Sequence, residues 1–274
     1  MSERAFASIP VHEREKKPRR QGLTEIRGPY YSVMGPRYLE DIMDTMHAYV
    51  DGLKFAGGSF ALMPRDKIKQ MIELAHRYEV YVSTGGWIEY VLKAGPGAVD
   101  AYLAEAKALG FDVIEISSGF ISLSQEDLLR LVRKVVATGL KAKPELGIQF
   151  GAGGASPAGE LAAEPVRSSG WVIARAKACL DCGAEIIMIE SEGITENVTS
   201  WRTDVVDEIV AGLGLQRTMF EAADPAVFEW YVKTYGPDVN LFVDHSQIVQ
   251  LECLRSGIWG TKSSWGRIVT YRAD

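Results

Sequence analysis

The sequence predicts an α/β protein of the (β/α)8 TIM-barrel class: one barrel over residues 21–274, preceded by a basic arm over residues 1–20. Three observations predict it. Short runs rich in β-forming residues alternate with longer amphipathic runs along the whole chain. Most of the short runs begin about 30 residues apart, the length of one βα unit. The rival architecture, an open doubly wound sheet, usually carries a glycine-rich phosphate loop after its first strand. Arg27-Gly28-Pro29-Tyr30 does not match one.

The eight candidate strands are 23–27, 52–56, 80–83, 112–117, 141–146, 185–190, 217–221 and 240–244. Between them, Leu39, Ile42, Met43 and Met46 recur at the spacing of one helix face, as do Ile68, Met71, Ile72 and Ala75 after Pro64. Ser124 with Asp127 three residues on forms an N-terminal cap ahead of the stripe Leu128, Leu131, Val132 and Val135. Val172, Ala176, Cys179 and Leu180 line another helix that stops at Gly183. Asp224-Pro225 opens a seventh helix, and Ser246 is the expected cap of an eighth. One connection breaks the rhythm. Residues 150–165 hold Gly151, Gly153, Gly154, Pro157 and Gly159, and read as a mobile lid over the catalytic end or as a plain linker.

Composition narrows the class. Hydrophobic residues make up 47% and charged residues 24%, as in a globular protein with a sizeable core. No apolar run reaches membrane-spanning length and no apolar signal segment opens the chain, so a cytoplasmic protein without membrane partners is expected. Three cysteines make no disulfide framework. Cys179 and Cys182 lie at a helix end, where a thiolate gains nothing, and read as packing residues. The net charge of −6 conceals a net +3 on residues 1–20, which leaves −9 on the rest. The acidic body argues against general nucleic-acid binding, while the basic arm could touch nucleic acid or a neighbouring subunit, or be a solvated or loosely docked tail.

In a barrel, strand C-termini converge on one mouth where active sites lie. Here those ends carry Arg27, Lys54, Thr84, Glu115, Ser117, Lys143, Glu145, Glu190, Glu192, Glu221, Asp244 and His245. Strand alternation puts Lys141, Lys143 and Glu145 on one face. Charges there need partners or a polar cavity, so the strand belongs to a reaction site or to an internal salt bridge. Several carboxylates suit a hard divalent cation such as Mg²⁺, with Glu115 and Glu190 as the leading ligands. Lys54 and Arg27 could bind an anionic substrate, and a desolvated lysine could donate a proton. The backbone of Gly85-Gly86, beside Thr84 and Ser117, offers N–H groups to phosphate or carboxylate oxygens. His245 is a weaker member of the same set, while His47 and His76 fall inside helices. Neither H-E-x-x-H nor G-x-S-x-G occurs.

The same strand ends resemble the phosphosulfolactate synthase family. The matching pieces are Gly22-Leu23-Thr24, Leu53-Lys54-Phe55-Ala56-Gly57-Gly58, Ser83-Thr84-Gly85-Gly86-Trp87-Ile88-Glu89, Ile114-Glu115-Ile116-Ser117-Ser118-Gly119, Lys143-Pro144-Glu145-Leu146-Gly147 and Ile189-Glu190. Tyr81-Val82-Ser83-Thr84-Gly85, Leu140-Lys141-Ala142-Lys143-Pro144 and Asp244-His245-Ser246-Gln247 are similar to the plant heat-stress-associated branch of that family. The resemblance implies a (β/α)8 barrel, usually oligomeric, that adds sulfite to phosphoenolpyruvate with Mg²⁺. It implies Lys143 as the acid that protonates C2, Glu145 orienting it, and Lys54 and Arg27 as anion binders. The chain also departs from the pattern. Ile148 and Gln149 stand where synthases continue into lysines, and Ser191 and Glu192 stand where they carry an arginine.

Two functions are therefore expected as alternatives. One is a Mg²⁺-dependent lyase or synthase that adds sulfite or another nucleophile to phosphoenolpyruvate or a related small anionic acid. The other is a non-catalytic, stress-associated or interaction protein on a barrel scaffold.

Overall fold

The computed structural model describes residues 4–154, 156–222 and 224–271. Its strands are β1 (Thr24–Arg27), β2 (Gly52–Phe55), β3 (Tyr81–Thr84), β4 (Val113–Ile116), β5 (Lys141–Leu146), β6 (Ile187–Ile189), β7 (Thr218–Glu221) and β8 (Leu241–Asp244). They close in sequence order into one all-parallel barrel. β1 pairs with β2 on one side and β8 on the other, so Arg27 sits between Lys54 and Asp244. The expected fold class is therefore the observed one. Strand limits move by a residue or two: Glu185 and Glu190 fall outside β6, and Ser117 lies just past β4.

The helices follow the predicted stripes. α1 (Pro36–Met46) starts at a proline and buries Leu39 and Met43; α2 (Arg65–Arg77) buries Ile68, Met71, Ile72 and Ala75. Two helices, α3 (Ile88–Lys93) and α4 (Pro96–Leu109), fill the connection from β3 to β4. α5 (Gln125–Ala137) is capped by Ser124, whose hydroxyl accepts the Asp127 N–H at 3.1 Å. The 150–165 connection is not irregular throughout, because it contains α6 (Ala158–Ala163). α7 (Ser169–Asp181) and α8 (Thr203–Leu213) come next. α9 (Pro225–Tyr235) starts at its Asp224 cap, as expected. α10 (Ile248–Arg255) departs from expectation at its start. The carboxylate of Asp244, and not Ser246, caps the turn before it, accepting the Ser246 N–H at 3.0 Å.

The main core lies between the outer face of the sheet and the helices. A second, small core fills one side of the barrel's interior with Ile186, Met188, Met219 and Phe242. Charged side chains from β1, β2, β4 and β5 occupy the other side. Gly52 makes room for this, since a Cβ there would lie 2.3 Å from the Tyr81 ring. Cys179 is buried in the helix layer, which pushes its thiol up to about 12 and suits packing.

Residues 12–20 of the arm dock on the barrel's N-terminal end. Arg14 pairs with Glu252, and Arg19 donates to Asp51 at 2.9 Å and to the Ala48 carbonyl at 2.6 Å. Lys17 donates to the carbonyls of His47 and Tyr78 at 3.1 and 2.6 Å. Arg19 also lines a cavity of about 540 Å³ at this end, together with Asp51, Tyr81, Lys141 and Lys143. Among the described residues, no helix is long and apolar enough to cross a membrane.

Candidate active site

Alternation along each strand decides which side chains enter the barrel. Lys143 from β5 reaches across to β1, its Nζ 2.6 and 2.7 Å from the two carboxylate oxygens of Glu25. The same Nζ lies 3.2 Å from Glu115 Oε2. Lys54 Nζ approaches that Glu115 oxygen to 2.8 Å, Glu221 to 3.4 Å and Glu145 to 3.6 Å. The ring of Phe242 covers Lys54, 4.3 Å from its Nζ. Glu25, Lys143, Glu115 and Lys54 thus form a chain of alternating charges through the barrel, each almost wholly buried. Buried ions at this depth are tolerable because each has an opposite partner.

Above Lys54 the barrel opens into a mouth cavity of about 450 Å³, whose floor includes Arg27, Lys54, Glu115, Glu145, Glu190 and Glu221. Tyr30, Tyr31, Trp87, Tyr90 and Phe120 stand around it. One oxygen each of Glu145, Glu190 and Glu221 lies within 4.8 Å of the others, the spacing of a metal cage. Their protonation is unequal. Burial, then the charges of Glu115 and Glu221, push the Glu145 carboxyl up to about 8 despite Lys54 nearby. Burial, then Glu221 and Glu145, push Glu190 well above the usual carboxylate range. Burial opposes ionisation of Glu221 too, but Lys54, Arg27 and a hydrogen bond with Glu190 hold it below its ordinary value. Beside them, Arg27 lies between the rings of Tyr31 and Phe242, and its Nη1 is buried without an acceptor. A buried donor with no acceptor is costly and invites an anionic ligand.

The residues expected at the mouth divide accordingly. Arg27, Lys54, Gly86, Ser117, Glu115, Glu145 and Glu190 all line it. Lys143 does not: it is held one layer deeper by Glu25, 0% exposed, because that fully buried carboxylate needs a cation. Glu115 carries no share of the carboxylate cage, since two lysines already neutralise it. Glu221 stands in its place. Thr84 faces the helix layer beside Tyr102, and its hydroxyl accepts the Glu115 N–H at 3.1 Å. Gly85 packs below the cavity, where a Cβ would lie 2.4 Å from Gly57 N. His245 Nδ1 donates to the Arg27 carbonyl at 3.0 Å and its Nε2 lies 3.1 Å from the Tyr38 hydroxyl, on the edge of a neighbouring cavity. Lys141, expected on the face of Lys143 and Glu145, is 57% exposed at the floor's rim and paired with Glu185 at 3.1 Å.

Sequence reading missed Glu25 and Glu89. Glu25 lies two positions before Arg27, so the alternation that selected Lys143 and Glu145 would also have turned it inward. Glu89 accepts hydrogen bonds from the Ser117 hydroxyl and from the N–H groups of Gly119 and Phe120, the latter two at 2.9 Å. It fixes the loop after β4 against the mouth.

Comparisons with known proteins bear on the family and on the fold. The family described as (2R)-phospho-3-sulfolactate synthase (ComA) matches residues 12–261. The chain belongs to the phosphosulfolactate synthase family. It is 45% identical over 253 residues to the protein HEAT-STRESS-ASSOCIATED 32 of Arabidopsis thaliana, covering 89% of this chain and 88% of that protein. It is 28% identical over 254 residues to the phosphosulfolactate synthase of Methanothermobacter thermautotrophicus, covering 90% and 93%. Among solved structures, N-acetylneuraminate lyase from Mycoplasma synoviae superposes with a TM-score of 0.52 at 11% identity, over 86% of this chain and 72% of that one. A dihydrodipicolinate synthase superposes at 0.51 and 11%, over 85% and 72%, and both likenesses speak for the barrel alone.

At Gln149 and Glu192, expected above as departures from the family's pattern, the side chains hold nearby backbone. Gln149 donates to the carbonyls of Leu161 and Glu164 at 2.9 and 3.1 Å. Glu192 accepts the N–H groups of Gly153, Gly154 and Ser156 at 3.0, 3.3 and 2.7 Å. Both positions hold the 150–165 connection, whose Gly153 and Gly154 line the mouth.

Proposed function

We propose that the protein is a Mg²⁺-dependent lyase of the phosphosulfolactate synthase type, adding an anionic nucleophile to phosphoenolpyruvate or a closely related acid. The observation that carries this is the juxtaposition of the Glu145, Glu190 and Glu221 cage with Lys54 and Arg27 in one cavity. The donor set fits the ion. All three ligands are hard oxygens, and two of them hold protons against repulsion that a divalent cation would relieve. Bound there, Mg²⁺ would supply Lewis-acid stabilisation of charge developing on the substrate carboxylate.

The chain's own residues do the rest. Arg27, with a donor to spare, binds one anionic group of the acid. Attack at C3 forms the new bond from the nucleophile's lone pair. The π pair of C2 and C3 moves toward the carboxylate, and C2 then takes a proton. Lys54 is the ammonium at the cavity floor, kept charged because four carboxylates outweigh its desolvation, and its place in the mouth makes it the group we assign to deliver the proton to C2. Lys143, one layer below, balances Glu115 and thereby sets the position of Lys54.

The test is thermal unfolding with Mg²⁺ and phosphoenolpyruvate, followed by product analysis with sulfite. A ligand that binds only the folded state raises Tm. Joint stabilisation by Mg²⁺ and phosphoenolpyruvate that disappears in Glu221→Gln supports the proposal, and no stabilisation by either defeats it. A second reading, a non-catalytic stress-associated scaffold, draws on the likeness to HEAT-STRESS-ASSOCIATED 32 and on the lashed loop. Ligand stabilisation with no turnover of any nucleophile would favour it.

A further inference from the structure

Helix α3 is short, but its apolar residues keep helical spacing: Trp87 just before it, then Tyr90, Val91 and Ala94 at i+3, i+4 and i+7. Residues so spaced share one face. The rings of Trp87 and Tyr90 are nearly parallel, their centroids 5.9 Å apart and their planes 9° from each other. Phe60 and Tyr102 meet the indole edge-on at 5.3 and 5.7 Å. Gly58 leaves room for it, since a Cβ there would lie 2.4 Å from Trp87 Cδ1. The result is a fixed aromatic shelf, and it borders two cavities. Trp87 and Tyr90 line the mouth, and they also line a groove of about 470 Å³ formed by α2, α3 and α4 with the turn at Phe60. Met63, Ile68, Ala98 and Ala101 make up much of the rest of the groove, and its two charged residues, Arg65 and Glu105, neutralise each other at 2.7 Å.

We propose that the acid bound at the mouth carries an apolar chain, which crosses the Trp87–Tyr90 shelf and lies in this groove. The inference narrows the substrate class and rests on the mouth being a Mg²⁺-assisted site for an acid. Size leaves room for it. The mouth alone, at about 450 Å³, has the volume of roughly fifteen waters, more than a three-carbon acid needs. The lining says what the room is for. Charge is gathered at the floor of the mouth, whereas Tyr31, Tyr90 and Phe120 at its rim are 68, 63 and 52% exposed. A cluster of exposed rings around a cavity marks a surface that contacts something apolar. A three-carbon phosphorylated acid is polar over its whole surface and gains nothing from them. An acid with an apolar chain matches the zoning: its head group meets Arg27, Lys54 and the carboxylate cage, and its chain passes from ring to ring into the groove. The shared residues make the groove continuous with the mouth, so one ligand serves both.

Calorimetric titration of the full chain, in Mg²⁺, with pyruvate, 2-oxobutanoate, 2-oxohexanoate and 2-oxooctanoate tests the inference. These acids share a head group and differ only in chain. Affinity should rise roughly threefold to fourfold for each added methylene that packs on the shelf or in the groove. The alcohol 1-octanol, a chain without the acid, should bind at least tenfold more weakly than 2-oxooctanoate. Ala101→Glu sets a carboxylate in the groove from an exposed position of α4, and should weaken 2-oxooctanoate at least tenfold more than pyruvate. The Tm of that variant without ligand checks its fold. Affinity that is flat or falling with chain length, octanol binding as tightly as the acid, or equal losses for both acids in Ala101→Glu would each overturn the inference. Self-association that Ala101→Glu abolishes, with a flat series, would give the groove to a second copy of the chain instead. Stabilisation by Mg²⁺ with phosphoenolpyruvate, measured separately, keeps the two readings apart. That stabilisation with a flat series defeats the apolar chain alone. A rising series without it sustains the chain and defeats phosphoenolpyruvate as the acid. Binding of none of these acids, with no stabilisation, defeats the reading of the mouth itself.

Discussion

The floor and the mouth of this barrel are built from the same charged residue types and use them in opposite ways. At the floor four cations are answered by carboxylates, Arg14 by Glu252, Arg19 by Asp51, Lys141 by Glu185 and Lys143 by Glu25, and Lys17 by the carbonyls of His47 and Tyr78. At the mouth three carboxylates crowd together, two of them driven toward protonation, and Arg27 keeps an unanswered donor. Paired buried charge maintains a structure, whereas unpaired buried charge stores free energy that a ligand can release. The difference matches the general division of barrels into a stabilising N-terminal end and a functional C-terminal end.

The comparison breaks most visibly at Lys143. Lys143→Met leaves Glu25 buried without its cation and should cost about 3–5 kcal/mol, the range for breaking a buried pair. That corresponds to a fall in Tm on the order of ten degrees for a chain of this length. Unchanged stability in denaturant titration would mean that Lys143 belongs to the mouth after all.

Next in size is the response to pH. The Glu145 carboxyl titrates near 4.5 when unperturbed and near 8 in the folded chain, with Glu115, Glu221 and Lys54 around it. The folded state therefore binds more protons than the unfolded state between those values. The associated stability is present below the lower value and is lost as pH rises through the upper one, by up to about 1 kcal/mol per pH unit. Tm of the metal-free protein should fall from pH 5 to about pH 8, and Mg²⁺ should flatten the decline by replacing protons. A Tm that rises over this range without Mg²⁺ would contradict the protonated cage.

Smaller effects sharpen the same contrast. Glu190→Gln relieves repulsion in the cage, so it should raise Tm in the absence of metal, by roughly 1 kcal/mol of stability, while abolishing any stabilisation by Mg²⁺. Loss of stability instead would place Glu190 with the structural charges. Lys141→Ala removes an exposed pair and should change stability by less than about 0.5 kcal/mol. A larger change in urea unfolding would show that the rim of the floor matters more than its geometry indicates.

The barrel was legible because its signal is local and repeated: each strand is a short apolar run, each helix a stripe, and the spacing names the unit. The inward direction of Lys143 and Glu145 followed from period-two alternation, and Lys54 and Glu115 stood out by their place at strand C-termini. The same rule, applied from Tyr81, turns Thr84 outward, but the expected third strand ended one residue early and hid this. What sequence could not supply was contact across the closed barrel. Glu25 and Lys143 are 118 positions apart and meet only because β1 and β5 face each other across the axis. Glu192 and Gln149 act through loops, where no periodicity announces a partner.

The alternating chain through the barrel has one more consequence, which emerges from electroneutrality. Glu25, Glu115, Glu145, Glu190 and Glu221 are answered within the interior by Lys54, Lys143 and Arg27. Full ionisation would leave the interior two charges short of balance, and two protons or one divalent ion can make up the difference. Metal uptake at the mouth should therefore expel up to two protons, and the buffer-dependent heat of Mg²⁺ binding would count them. Seen this way, the paired charges beneath the mouth fix how much positive charge the mouth has left to recruit.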